Sequence, residues 1–154
     1  MNALRERRSK AVQGTEPRDA AIALLKAADS VRRSAARVVE PYGVTLQQYN
    51  VLRILEGAEQ DGLPTLEVAA RLIEETPGVT RLMDRLEAKA FIRRQRCPQD
   101  RRQHLCWLTR DGAQLLGKLT PAIAAAFART FGRLDPRQRQ RLTMLLSSID
   151  PSGE

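Results

Sequence analysis

An amphipathic pattern in the middle of the chain predicts a short helix with one buried face. Apolar residues recur there at spacings of three and four, which places them on one side of an α-helix. Thr76 is suited to be the N-cap of this helix, and Pro77 falls in its first turn, where proline is tolerated. The apolar face consists of Val79, Leu82, Met83 and Leu86, and the opposite face consists of Thr80, Arg81, Asp84 and Arg85.

The residues that follow predict a basic β-hairpin. Phe91–Cys97 and His104–Leu108 are too short for helices and are rich in aromatic, β-branched and long side chains. The residues between them include Pro98 and Asp100, which are typical of turns. Asp100 is the only acid in the hairpin, and such an excess of positive charge repels itself unless an anion lies against it. The basic residues are Arg93, Arg94, Arg96, Arg101 and Arg102.

Helical spacing of apolar residues also predicts helices before this stretch. Residues 18–39 form a helix rich in alanine and leucine. A second helix is expected over residues 45–57, where Thr45 and Gln48 have the spacing of a capping box. Glycine and proline make residues 57–64 a loop.

A further short helix completes a helix-turn-helix pattern with the helix that follows Thr76. We expect Thr65 to be its N-cap and Leu72 to lie near its end. Two short helices joined by a brief turn are typical of DNA-binding proteins, although an ordinary helical hairpin has the same pattern. The residues expected to face inward are Leu66, Ala69 and Ala70.

Two helices are predicted after the hairpin. The first begins at Thr109, and Pro121 either kinks it or starts a second segment. The last begins after Asp135, which forms a capping box with Gln138, and runs to about Ile149. These helices and the helix over residues 18–39 carry more apolar surface than a small central module can cover, so we expect two copies to pack together.

The predicted fold is mainly α with a small β wing. It comprises a winged helix-turn-helix with N- and C-terminal dimerisation helices. We assign residues 1–17 to a flexible basic arm and residues 18–45 to the N-terminal dimerisation helix. Residues 46–110 form the winged helix-turn-helix domain, and residues 111–150 form the C-terminal dimerisation helices.

The charge of the chain points to a polyanionic partner. The 154 residues include 26 Lys and Arg against 18 Asp and Glu, which gives a net charge of +8. Nearly all the basic residues are arginine, which favours planar contacts with phosphate and guanine. An anionic membrane surface fits less well, because the basic residues cluster in a folded hairpin. We therefore expect double-stranded DNA as the partner.

Other classes of protein are disfavoured by what the sequence lacks. The N-terminus is charged with no apolar segment behind it, and no run approaches the length of a membrane span, so we expect a cytoplasmic protein. Two cysteines do not make a disulfide framework. No catalytic constellation and no phosphate-binding glycine loop is present, so we expect neither an enzyme nor a bound cofactor.

Four segments resemble the MarR (multiple antibiotic resistance regulator) family of bacterial transcription factors, and the likeness extends over roughly residues 20–148. The more specific part is a VTR…DRLE helix followed by a D-R-R wing and an LT-x-x-G exit. The segments are LQQYNVLRIL at 46–55, LEVAARL at 66–72, VTRLMDRLEAKAFIRR at 79–94 and DRRQHLCWLTRDG at 100–112.

The resemblance implies a homodimer that places a recognition helix in the major groove and a wing arginine in the minor groove. By position, the recognition helix is residues 77–89 and the wing-tip arginine is Arg102. Asp100 matches the acid that braces the wing; a salt bridge to a wing arginine explains an acid in this basic loop better than a solvated turn residue does. Arg85 and Arg94 are phosphate contacts or salt-bridge partners. The DNA-binding residues are therefore expected to be Thr76, Pro77, Gly78, Thr80, Arg81, Arg85, Arg94, Asp100, Arg101 and Arg102.

One position departs from the family pattern. The family commonly has Lys-Gly at the end of the recognition helix, where this chain has Lys89 and Ala90. Glycine suits a left-handed helix terminus, and alanine is strained in that conformation. Either the turn is built differently here, or the protein loses some stability.

The resemblance also raises two possible inputs. Family members often bind small phenolic or aromatic effectors, and Arg37, Tyr42 and Tyr49 could line such a pocket, although Tyr49 could equally be core. Some members sense oxidants through cysteine, which makes Cys97 and Cys106 candidates because arginine neighbours can lower a thiol pKa. With His104 these cysteines give three potential zinc ligands, one fewer than a structural site needs.

The sequence thus predicts a dimeric, sequence-specific DNA-binding repressor that a small molecule releases. The first alternative is a DNA-binding regulator that senses thiol oxidation. The second is a winged helix that contacts protein, which the abundance of arginine in the helix and wing disfavours.

Overall fold

The computed structural model describes residues 16–58, 62–72, 78–98, 100 and 102–149. The chain divides into two compact units, residues 1–33 and residues 34–154. Most of the predicted basic arm lies outside the described residues. No helix in the described ranges is both long and apolar enough to cross a bilayer.

Helix α1 (Pro17–Val39) ends in a 3-10 turn, Glu40–Tyr42, which Gly43 terminates with a left-handed φ of 70°. Helix α2 (Leu46–Glu56) follows. The predicted capping box is confirmed. The Thr45 hydroxyl accepts the Gln48 N–H at 3.2 Å, and the Gln48 side-chain oxygen accepts the Thr45 N–H at 3.0 Å.

The core of the second unit forms around α2. Val51 and Leu52 on this helix are fully buried, and the apolar face predicted around Leu82 and Met83 packs into the same cluster. The buried cluster comprises Val39, Val44, Tyr49, Val51, Leu52, Leu55, Leu63, Val68, Leu82, Met83, Leu86, Ile92, Cys106, Leu115, Leu116, Leu119 and Ile123.

The wing has a third strand that was not predicted from the sequence. Strand β1 (Leu63–Pro64) lies within the segment predicted to be a loop. It pairs antiparallel with β3 (His104–Leu108), which pairs on its other side with β2 (Ile92–Arg96), so the sheet order is β1-β3-β2. A proline is tolerated in β1 because this strand is at the sheet edge, where its missing N–H is not needed.

Helix α3 (Thr65–Ala70) begins at Thr65, the residue that was predicted to be its N-cap. Pro64 occupies the N-cap position, and Thr65 is the first helical residue. The Thr65 hydroxyl instead donates to the His104 carbonyl at 3.2 Å, which ties α3 to β3. The predicted inward face is also wrong, because Val68 is buried whereas Leu66 is 76% exposed.

Helix α4 (Val79–Ala88) begins later than the predicted recognition helix. Gly78 is its N-cap residue and has a φ of 95°, a left-handed conformation that a helix cannot extend through. Thr76 and Pro77, predicted to cap and open this helix, lie outside the described residues.

Helix α5 (Arg110–Thr130) runs through Pro121 as one helix, so no second segment starts there. Helix α6 (Pro136–Ser147) begins with the predicted capping box, in which Asp135 and Gln138 bond reciprocally at 2.9 Å. None of the residues of α6 is buried within the single chain.

Candidate nucleic-acid interface

The polar face of α4 is open to solvent. Burial of Leu82, Met83 and Leu86 orients the helix so that its other side points outward. At Gly78, no atom of the described residues lies within 4 Å of where a Cβ would be. The residues exposed on this face are Thr80, Arg81, Asp84 and Arg85.

The C-terminal end of α4 is built as a left-handed turn despite the alanine. Ala90 has a φ of 58°. Its N–H donates to the Glu87 carbonyl at 2.8 Å, and the Phe91 N–H donates to the Leu86 carbonyl at 3.0 Å, which is the Schellman pattern. The turn therefore has the geometry that favours glycine, and Ala90 is strained in it.

Replacing Ala90 with glycine should stabilise the protein by about 1 kcal/mol, because glycine adopts the left-handed conformation without the steric cost. The midpoint of thermal unfolding should rise by about 2–4 °C. Ala88→Gly, the same change two residues earlier and inside the helix, is the control and should destabilise by about 1 kcal/mol. A lower melting temperature for Ala90→Gly would contradict the assignment of strain.

The same turn anchors the start of α5. The Thr109 hydroxyl donates to the Ala90 carbonyl at 2.6 Å and accepts the Gly112 N–H at 3.1 Å. The Thr109 N–H donates to the Phe91 carbonyl at 3.1 Å. A Cβ on Gly112 would lie 2.1 Å from that same carbonyl oxygen. The LT-x-x-G exit is thus a close backbone junction between α4, the wing and α5.

A second contact at this end of α4 was not predicted. The Lys89 ammonium donates to the Gly43 carbonyl, in the turn that follows α1. The contact joins residues 46 positions apart. No periodicity or motif predicts such a bond, because a lysine at a helix end is usually expected to be solvated.

The wing tip is organised by Asp100, but through hydrogen bonds to the loop. One carboxylate oxygen accepts the Arg102 N–H at 3.0 Å, and the other accepts the Gln103 side-chain amide at 3.0 Å. The predicted brace was a salt bridge to an arginine side chain. At Arg102 the carboxylate holds the backbone instead, and this leaves the guanidinium exposed. Arg101 lies outside the described residues.

Arg94 is held by two acids of α4. Its guanidinium bonds to Glu87 through Nε at 2.9 Å and Nη2 at 2.7 Å, and Nη2 also bonds to Asp84. Only 16% of the Arg94 side chain is exposed. Of the two predicted roles for Arg94, salt-bridge partner fits the structure. The sequence did not predict that Glu87 and Asp84 are its partners, because they lie on α4 and Arg94 lies on β2.

Glu87 and Asp84 stabilise the charged form of Arg94. Burial alone would lower the pKa of Arg94. Hydrogen bonds and charges from Glu87 and Asp84 outweigh burial, and the pKa is raised above its usual value. The guanidinium therefore stays charged and stays paired.

The surroundings of Cys106 do not favour the predicted thiol switch, and the two cysteines are placed too far apart for a disulfide between them. Cys106 is fully buried, and this burial raises the pKa of its thiol, outweighing the lowering by Thr65 and Arg94. In the sheet register Cys106 lies opposite Arg94, so Cys97 is three residue steps further along. That offset is roughly 10 Å, beyond the roughly 7 Å that a disulfide spans. Within the described ranges, no cluster of three or more potential metal ligands occurs.

The predicted effector residues occupy different environments. Tyr49 is 7% exposed and belongs to the core cluster, which favours the core reading of this residue. Tyr42 is 47% exposed, and Arg37 is also exposed. A pocket that Tyr42 and Arg37 help to line stays a prediction.

The chain is similar in sequence to known transcriptional regulators. Residues 44–104 match the model of the MarR family. Over 121 residues the chain is 30% identical to the uncharacterized HTH-type transcriptional regulator YkoM of Bacillus subtilis, which covers 79% of this chain and 77% of YkoM. It is 27% identical over 132 residues to the homoprotocatechuate degradative operon repressor of Escherichia coli, which covers 86% of this chain and 88% of the repressor.

A solved structure extends the likeness to 84% of the chain. It is the structure of BpsR from Bordetella bronchiseptica, whose binding to DNA is regulated by 6-hydroxynicotinic acid. The two structures superpose with a TM-score of 0.75 at 25% identity, over 84% of this chain and 97% of BpsR. The mainly helical fold with a small antiparallel wing is confirmed by this match.

Proposed function

Because the chain belongs to the MarR family, we propose that it is a dimeric, sequence-specific DNA-binding protein that represses transcription until a small molecule releases it. The observation that carries the proposal is the pairing of an exposed polar helix face with a basic wing in one compact unit. Thr80 and Arg81 are open on α4, and Arg102 is open at the wing tip. The E. coli relative, a degradative operon repressor by its name, supports repression.

The proposed complex places α4 in the major groove and the wing tip over the minor groove. Arg81 contacts a guanine edge or a phosphate, and Thr80 contacts a neighbouring base or phosphate. Arg85 and Arg102 add backbone or minor-groove contacts. Two such units bind half-sites about 10 bp apart on an imperfect palindrome. Much of the affinity comes from released counterions and falls steeply as salt rises.

Exposed apolar residues at both ends of the chain support dimerisation. On α1, Leu25 is 69% exposed. On α6, Met144 is 66% exposed and Leu145 is 57% exposed. Large apolar side chains concentrated on a helix face are a sign of an interface, because exposure to water costs free energy that a partner surface recovers.

Replacing Leu145 with glutamate should convert the dimer to a monomer at micromolar concentration, because the change puts a charge into the proposed apolar interface. Duplex binding should weaken more than about tenfold, since two linked half-sites no longer bind together. Gln140→Glu, which adds the same charge to the same helix at a polar exposed position, is the control. Sedimentation velocity measures the mass, and a wild-type monomer or an unchanged Leu145→Glu dimer would contradict this proposal.

The proposed release signal is a small phenolic or aromatic acid. BpsR, whose DNA binding is regulated by 6-hydroxynicotinic acid, supports a ligand of this class. Such an effector acts by favouring a dimer in which the two recognition helices no longer match successive grooves. A typical coupling free energy is about 1–3 kcal/mol. Titrating candidate aromatic acids into a preformed protein–duplex complex tests this input.

A further inference from the structure

Glu87 contacts Arg94 in two ways at once. One of its carboxylate oxygens accepts the Arg94 backbone N–H at 3.1 Å, and the other accepts the guanidinium at 2.7 and 2.9 Å. Asp84, one turn earlier on α4, bonds to the same guanidinium. A single strand residue is therefore held by two acids of the recognition helix, through its main chain and its side chain.

The bond to the main chain joins the helix to the outer strand of the wing. Strand β2 lies at one edge of the sheet, so the N–H groups on its outer side have no neighbouring strand. Glu87 supplies the acceptor for one of them at Arg94. A displacement of β2 relative to α4 would break this bond and the ion pairs together. The helix and the wing are thus fixed relative to each other at this point.

The charges of these acids conflict with the proposed partner. Asp84 is exposed on the face of α4 that carries Thr80 and Arg81, and its side chain is 53% exposed. A carboxylate placed there would repel the phosphates of a bound duplex. The Arg94 guanidinium lies against both acids and offsets their charge, while only 16% of its own side chain reaches solvent.

We propose that Arg94 is a positioning residue of the DNA interface, which offsets the charge of Asp84 and Glu87 and fixes the wing to the recognition helix instead of contacting a phosphate. The proposal rests on the proposed DNA-binding function. It assigns the two acids a part in the interface as well, since they hold Arg94 and are harmless to DNA only while it is present.

The test compares Arg94→Ala, Asp84→Asn/Glu87→Gln and the triple variant with wild type on a duplex selected by the wild-type protein. Arg94→Ala should bind roughly tenfold or more weakly, because it uncovers two carboxylates near the phosphates. Asp84→Asn/Glu87→Gln should raise affinity about tenfold in the Arg94→Ala protein, because it removes the carboxylates that the loss of Arg94 uncovers. The dependence of log affinity on log salt should keep its slope in the triple variant.

Arg85→Ala is the matched control, because Arg85 is an exposed arginine of the same helix. It should lower the salt slope by about one, as the loss of a phosphate contact does. Arg94→Lys should fall between wild type and Arg94→Ala, since lysine keeps the charge but cannot form the forked contact. The triple variant leaves no unpaired charge behind, so it tests the proposal even if Arg94→Ala folds poorly.

Three results would overturn the proposal. One is a triple variant that binds as weakly as Arg94→Ala with a salt slope lower by about one, which identifies a phosphate contact. Another is an Arg94→Ala protein that binds like wild type. If wild type binds no duplex at low salt, the proposed function fails as well, so the two failures are distinguished by the wild-type measurement.

Discussion

Arg102→Ala is expected to weaken duplex binding by about 1–3 kcal/mol, roughly fivefold to 150-fold, while leaving the fold and the dimer unchanged. Arg102 is exposed at the wing tip, and the contact between Asp100 and this residue uses the backbone N–H. Alanine retains that N–H, so the loop keeps its brace and only the guanidinium is lost. The effect should therefore appear in binding and not in stability.

Fluorescence anisotropy with a labelled duplex measures this loss, and far-UV circular dichroism and sedimentation check fold and mass. Arg129→Ala, which removes an exposed arginine from the C-terminal turn of α5, is the control and should change affinity less than about twofold. A second variant, Asp100→Ala, removes the brace but keeps Arg102, and it should weaken binding less than Arg102→Ala does. Equal affinities of wild type and Arg102→Ala would remove Arg102 from the interface.

Gly112→Ala is expected to destabilise the protein by about 3 kcal/mol, at the upper end of the usual cost of overpacking. The added Cβ would lie 2.1 Å from the Phe91 carbonyl oxygen and 2.8 Å from a Leu108 methyl carbon. The carbonyl belongs to the backbone, so it cannot turn aside as a side chain would. It also accepts the Thr109 N–H, so any shift disturbs the junction between α4, the wing and α5.

Gly117→Ala is the matched control on the same helix. Nothing lies within 4 Å of a Cβ at that position, so alanine should stabilise α5 by up to about 1 kcal/mol. Urea unfolding followed by circular dichroism measures both free energies. If Gly112→Ala proved as stable as Gly117→Ala, the junction would not be the close contact described above.

The parts of the fold that sequence predicted well are those set by local chemistry. Thr45 with Gln48 and Asp135 with Gln138 form the expected capping boxes, because a cap depends only on residues within one turn. The buried face of α4 follows from the spacing of its apolar residues. Strain at Ala90 was one of the two outcomes that the sequence left open, since the turn after a helix has a small set of geometries.

The features that sequence missed depend on contacts between distant segments. The Thr65 hydroxyl bonds to His104, 39 positions away, instead of capping its own helix. Strand β1 has two residues, too few for a periodic signal, and exists because β3 offers it an edge. The inward face of α3 was wrong at Leu66, since a six-residue helix presents too few apolar positions to define a face.

In the candidate site, too, the features set by local sequence could be predicted and those set by distant contacts could not. Exposure of Thr80 and Arg81 follows from helix geometry, and the position of Arg102 follows from the turn around Asp100. The partners of Arg94 could not be predicted, because an arginine in a basic hairpin gives no sign of which acids lie across from it. For Cys106, the neighbouring arginine had suggested a lowered thiol pKa. Burial outweighs that effect and raises the pKa instead.

Selection of bound sequences from a random duplex library, followed by measurement of the mass of the complex, tests the central claim most directly. The proposed function predicts enrichment of an imperfect palindrome with half-sites about 10 bp apart. It also predicts two chains on each duplex, and a changed preference for Arg81→Ala. Recovery of no preferred sequence, or of a single half-site bound by one chain, would contradict it.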